Sequence, residues 1–120
     1  MVLVDTSVWV HHLRYGNASL EGLLKEARVI CHPFIIGELA CGSIGNRSEI
    51  LNLLNSLPQS VLADHKEVME FVENNRLYGL GIGWIDQHLL ASALLSRTHL
   101  WTLDSRLSSI ASRLGLSPQI

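Results

Sequence analysis

The sequence predicts an α/β fold, an α/β/α sandwich around a mainly parallel central sheet of four to five strands. Two observations carry that expectation. Short runs rich in valine, isoleucine and leucine alternate with longer stretches of helical periodicity, as in βα units. The first of these runs, Val2–Val4, is apolar at every position, which suits a strand covered on both faces rather than one with a wet side. With 120 residues, 48% of them hydrophobic and 17% charged, the chain has material for one core and is expected to form one domain over residues 1–120.

The elements follow in order. Val2–Val4 is the first strand, and Thr6 or Ser7 can cap the helix after it. Helices are expected over Val8–Tyr15, stopped near Gly16, and over Ser19–Ala27. "RVICH" (Arg28–His32) reads as a strand, and Pro33 fits the first turn of a helix running to Cys41. A further helix begins at Ser48 and ends before Pro58, and Ser60–Ala63 is a candidate strand. Asp64, with Glu67 three residues on, makes a capping box for a helix over His65–Tyr78. Gly79, Gly81 and Gly83 break the chain before a helix over Trp84–Ser96. His99–Leu103 is a strand, Ser105–Leu114 a helix up to Gly115, and the end of the sequence a candidate short strand.

Composition excludes some function classes. No apolar run approaches the roughly 18–20 residues that span a bilayer, and the start of the sequence lacks a basic region before an apolar stretch, so a cytoplasmic protein without membrane partners is expected. The two cysteines, Cys31 and Cys41, form no CxxC and are read as reduced core residues. Net charge is −2, from eleven acids and nine bases. Were four acids gathered into one metal-filled pocket, seven would face nine bases elsewhere, so the overall charge neither advertises nor excludes a nucleic-acid substrate.

Four acids do not read as surface. Asp5 and Asp104 each end an apolar strand, where parallel sheets bind ligands. Helix capping is the competing reading for both. Glu38 lies in "PFIIGELACG", a segment with no other charge, and a lone carboxylate there is costly to bury unless paired or bound to metal. Asp86 heads the stripe Leu90, Ala93, Leu94 that should face the sheet, although a first-turn acid also compensates the helix dipole. Two such charges about 4 Å apart repel by about 4 kcal/mol at an effective dielectric near 20. Convergence of all four therefore calls for a cation, and an all-oxygen ligand set favours Mg²⁺ or Mn²⁺. Such an ion can activate water and stabilise a phosphoryl transition state. Thr6, Ser7, Thr102 and Ser105 flank the strand-end acids and can orient them as well as cap helices.

On the stretches "VDTSVW" around Asp5, "GELACG" around Glu38, "GIGWIDQHLLASA" around Asp86 and "LWTLDSRL" around Asp104, the chain resembles the PIN-domain family. Within it the resemblance is to VapC-type toxins of bacterial toxin–antitoxin pairs, and it covers essentially the whole chain. It implies a Mg²⁺- or Mn²⁺-dependent endoribonuclease. Asp5 and Asp86 would be the principal metal ligands, completed by Glu38 and Asp104. It also implies a homodimer held by a cognate VapB-like antitoxin in a heterotetramer or larger assembly. Many members carry a further acid two positions after the fourth. Here Arg106 stands there, which removes a fifth ligand and offers a contact to a substrate phosphate.

Other features are read as structural. "GLGIG" lacks the final glycine of a dinucleotide loop and is taken as a turn between helices. The six histidines show no metal spacing, and Trp9, Trp84 and Trp101 are taken as packing residues rather than base-stacking platforms. Arg14, Arg76 and Arg97 are candidates for backbone contacts. Two alternatives stay open. A phosphoaspartyl phosphatase of the haloacid-dehalogenase type also begins with a strand and an aspartate, but needs an acid where Ser7 stands. A PIN-like module that binds RNA or protein without catalysis would have no reason to gather four acids.

Overall fold

Val2, Leu3 and Val4 are the middle strand of the sheet, and their apolar character on both faces follows from that position. The computed structural model describes residues 1–120. Strand β1 (Val2–Val4) pairs in parallel with β2 (Val29–Ile30) on one side and β3 (His99–Trp101) on the other. The register sets Val2 opposite both Val29 and His99, and Val4 opposite Trp101. The order β2-β1-β3 means that the chain leaves β1 toward one side and returns on the other. That reversal opens a crevice at the carboxyl ends of β1 and β3.

Seven helices surround this sheet: α1 (Thr6–Tyr15), α2 (Ala18–Lys25), α3 (Pro33–Cys41), α4 (Arg47–Ser56), α5 (His65–Asn74), α6 (Trp84–Ser96) and α7 (Ser105–Arg113). One apolar cluster joins them, from Val2 and Leu3 through Leu20, Ile35 and Leu54 to Leu89, Leu100 and Leu107. Local signals place the ends. Pro33 opens α3, with His32 Nδ1 accepting the Phe34 N–H at 3.0 Å. The Asp64–Glu67 capping box forms in both directions, at 2.8 and 3.1 Å.

The α/β class holds, but the sheet has three strands rather than four or five. At Ser60–Ala63 only a bridge forms, Cys31 with Gln59, fixed by the Cys31 N–H on Pro58 O and the Ser60 N–H on Cys31 O. Beyond it the N–H of Val61 goes to Ser96 Oγ (2.8 Å) and that of Ala63 to Ser92 Oγ (3.5 Å), so helix hydroxyls satisfy donors that a ladder would have used. The end of the chain likewise gives β3 one bond, Leu100 N–H to Leu116 O, and no strand.

Two helix readings also change. The helix from His65 stops at Asn74 rather than Tyr78. Arg76 turns left-handed (φ 53°) while the Leu77 N–H returns to Val72 O and the Arg76 N–H to Glu73 O, which is a Schellman end without glycine. On α6 the buried set is the unbroken run Gln87–Ala93, whereas Leu94 is exposed. Packing against both β3 and α5 covers that helix on two sides, so its burial does not follow a single stripe.

Candidate active site

Asp5 follows β1 directly and is 7% exposed. It occupies the N-cap position of α1, yet its side chain makes no capping bond. Instead Asp5 Oδ2 accepts hydrogen bonds from Thr102 Oγ1 at 2.7 Å and Ser7 Oγ at 2.8 Å. The parallel pairing of β1 with β3 makes this possible. The Asp5 N–H bonds Trp101 O, so Asp5 and Thr102 leave the sheet side by side. Ser7 Oγ also accepts the Leu103 N–H at 3.0 Å, and Thr102 Oγ1 accepts the Asp104 N–H at 3.1 Å. Two hydroxyls thus lock the segment carrying Asp5 to the segment carrying Asp104. Ser105, which also flanks Asp104, makes no such bond.

Asp104 does cap its helix. Its Oδ1 accepts the N–H groups of Arg106 and Leu107 at 2.9 and 3.0 Å. Glu38 is exposed on α3 rather than buried, and Oε1 is held at 2.7 Å by Thr6 Oγ1 across from α1. Asp86 sits in the first turn of α6, with Oδ2 accepting the Gly83 N–H at 3.3 Å. Its carboxyl is pushed above the usual carboxylate range. Burial is the main cause, opposed by the Gly83 N–H, and repulsion from Asp5, Asp104 and Glu38 adds to it. All three other acids therefore lie within electrostatic reach of Asp86.

A pattern recurs at all four acids. One carboxylate oxygen is held by the protein, and Asp5 Oδ1, Glu38 Oε2, Asp86 Oδ1 and Asp104 Oδ2 have no protein partner. None of them is ion-paired, since the one ion pair of the molecule is Arg28–Glu26. A set of hard oxygen donors, each anchored at one atom and free at the other, fits a hard divalent cation. As the side chains stand, no three of the His, Cys, Asp or Glu residues are drawn together tightly enough to hold an ion. Binding one would require side chains of this set to close in.

The remaining residues sort themselves around this crevice. The Arg106 guanidinium lies against Gly81, where an added Cβ would stand 2.6 Å from Nη1. Arg106 thereby joins α7 to the loop that precedes Asp86. "GLGIG" is a turn, with Gly79 and Gly81 at φ 69° and 79°. Arg14 shares a cleft of about 160 Å³ with Thr6 and Glu38, between α1 and the end of α3. Cys31 is buried, with its thiol pushed up to about 11 by burial, but Cys41 is exposed rather than in the core because it lies on the same side of α3 as Glu38. Trp9 is buried and Trp101 half-buried, whereas Trp84 is exposed, which corrects the packing reading for that residue. Sequence reasoning missed the ring cluster that Trp84 forms with His88 and Phe34. Its one advance signal was Phe34 a turn before Glu38 and His88 two residues after Asp86.

No helix is long and apolar enough to cross a membrane. The family model described as "PIN domain" matches residues 2–113. The chain is 45% identical over 118 residues to Ribonuclease VapC32 of Mycobacterium tuberculosis, in strains CDC 1551 / Oshkosh and ATCC 25618 / H37Rv. Those alignments cover 98% of this chain and 95% of each relative.

Proposed function

Because the chain belongs to the PIN-domain family, we propose that it is a single-domain Mg²⁺- or Mn²⁺-dependent endoribonuclease, the toxin of a type II toxin–antitoxin pair. The observation that carries this reading is the buried Asp5 carboxylate, held by Ser7 and Thr102, together with an Asp86 that feels repulsion from Asp5, Asp104 and Glu38, none of the four being ion-paired. A relative named Ribonuclease VapC32, alike over nearly the whole length, supports both the substrate class and the toxin role.

In this reading Asp5 and Asp86 are the principal metal ligands, and Glu38 and Asp104 complete the shell. When bound there, such an ion would supply water activation and charge to offset the phosphoryl oxygens. The protein's own part is positioning. Thr102 and Ser7 hold the Asp5 carboxylate, Thr6 holds Glu38, and the Gly83 N–H holds Asp86, each at one oxygen, which leaves the other oxygen of each acid without a protein partner. Arg106, seated on Gly81, is the cation available to a substrate phosphate. A VapB-like antitoxin would restrain this site, and the active unit would be a homodimer that joins the antitoxin in a heterotetramer or larger assembly.

The test is cleavage of total RNA by the purified chain with Mn²⁺ and with EDTA. Asp5→Asn and Asp86→Asn should each lose more than the roughly 10–100-fold that follows loss of an outer-shell partner, and Thr102→Val should fall within that range. Undiminished cleavage by the two folded aspartate variants would sink the mechanism. Growth arrest on expression, relieved by a short reading frame next to the gene, tests the toxin role. Light scattering tests the dimer.

A further inference from the structure

Two large aromatic side chains stay exposed beside the acids: Phe34 at 38% and Trp84 at 41%. They come from different helices but share a partner. His88, itself 7% exposed, meets the Phe34 ring at 4.8 Å and the Trp84 ring at 4.7 Å, edge to face in both cases. His32 abuts Phe34 from behind at 5.1 Å, and His65 flanks Trp84 at 5.2 Å, both tilted. No pair in this row of five rings is stacked in parallel, so flat ring area is left for something else. The row is also rigid, because its middle and one end are buried histidines.

The row's position is specific. Phe34 precedes Glu38 by one helical turn, so the two share a face of α3, and Trp84 opens the helix whose first turn carries Asp86. Between Phe34 and Ile85 lies a shallow depression with an apolar floor from Pro33, Gly37 and Cys41, and with Glu38 in its wall. It contains no cation, so nothing in it would draw a phosphate. Such a lining suits a flat, apolar, uncharged group.

We propose that Phe34 and Trp84, braced by His88, form a stacking site for an unpaired nucleobase of the strand whose phosphate is held at the acidic crevice. The proposal rests on the ribonuclease reading and adds to it a reason for preferring single-stranded RNA. Stacking accepts any base, because every base has a π face.

The test compares two fluorescein-labelled six-residue strands, oligouridylate and an abasic ribose-phosphate strand of equal charge, by anisotropy with the full chain. Ca²⁺ neutralises the acids as a hard oxygen-seeking ion, and a gel confirms that the strand is intact. The native chain should bind oligouridylate about 5- to 100-fold more tightly than the abasic strand. Trp84→Ala and Phe34→Ala should each erode that preference, Trp84→Phe should keep most of it, and none should change abasic binding. Equal binding of the two strands by the native chain overturns the proposal. So does a Trp84→Ala variant that keeps the preference while its self-association or its affinity for a protein partner falls, since the rings would then serve a protein interface. Cleavage with Mn²⁺ is scored separately. A chain that prefers the base-bearing strand but never cuts removes the catalytic reading and leaves this site standing. A chain that cuts without base preference does the reverse.

Discussion

Asp5 and Asp104 look alike in the sequence and behave differently in the structure. Each ends an apolar strand and precedes a helix, and capping was a fair reading of both. Asp104 does cap, through Oδ1, whereas Asp5 turns away from its helix to Thr102 and Ser7. The difference is invisible locally, because Thr102 reaches Asp5 only through the pairing of two strands about a hundred positions apart. His32 makes a comparable case. Its neutral ring caps α3 through Nδ1, it is 2% exposed, and its Nε2 has no partner. Burial, with His88 nearby, lowers its pKa to about 4. Between that value and the ordinary one near 6.5 the unfolded chain takes up a proton that the native chain refuses. This stability is therefore fully present above pH 6.5 and is lost as pH falls toward 4, by about 3 kcal/mol. Urea midpoints measured at pH 7.5 and 4.5 should show that loss. His32→Asn, which can still accept the Phe34 N–H, should flatten it, and an unchanged pH slope in the variant would refute the assignment.

Most helix starts could be read from capping residues and proline, and most helix ends to within a residue or two, the exception being α5, which stops at Asn74 rather than Tyr78. Three helices finish at non-glycine residues in the left-handed region, Ala27, Arg76 and Arg97, at φ 53–55°. Nothing in their side chains announces such a turn. It forms because the next residues, Arg28, Leu77 and Thr98, return their N–H groups to Leu23, Val72 and Ala93. Each such residue bears a strain of about 1 kcal/mol. Ala27→Gly and Arg97→Gly should accordingly raise the melting temperature by a few degrees, net of the greater freedom of glycine in the unfolded chain. A fall in melting temperature for both would show that the strain is absent. The glycine turn before α6 argues the other way. Gly81 combines φ 79° with a seat for Arg106 that a Cβ would enter at 2.6 Å. Gly81→Ala should destabilise the fold by about 1–2 kcal/mol and displace the guanidinium. A substrate KM that rises alongside, matched by Arg106→Ala, would tie that arginine to phosphate binding. The missing fourth strand has the same lesson as the helix ends, because Ser92 and Ser96 intercept its donors from a helix some thirty residues away.

At the scale of the whole molecule, the four acids store repulsion that a divalent cation would release. Anything that binds only the native state stabilises it by mass action, about 2.7 kcal/mol at a hundred times its dissociation constant. For a domain of this length that corresponds to a rise in melting temperature of roughly 10 °C. Mn²⁺ should give such a rise in the native chain and much less in Asp5→Asn. A calorimetric scan that does not move with Mn²⁺ would count against a metal site. Fold class and element order were legible, because strand and helix periodicity are local signals. Strand number, the exposure of Glu38 and the ring row were not, because each depends on which segments meet. The sheet order also has a consequence for timing. The middle strand is translated before either neighbour, and β3, which completes its pairing, lies 97 positions later in register, Val2 opposite His99. On a ribosome β1 must therefore wait without its second edge, and Asp5 without Thr102, until translation has passed Asp104. A nuclease arranged this way cannot close its crevice until a strand nearly a hundred residues further on has been made.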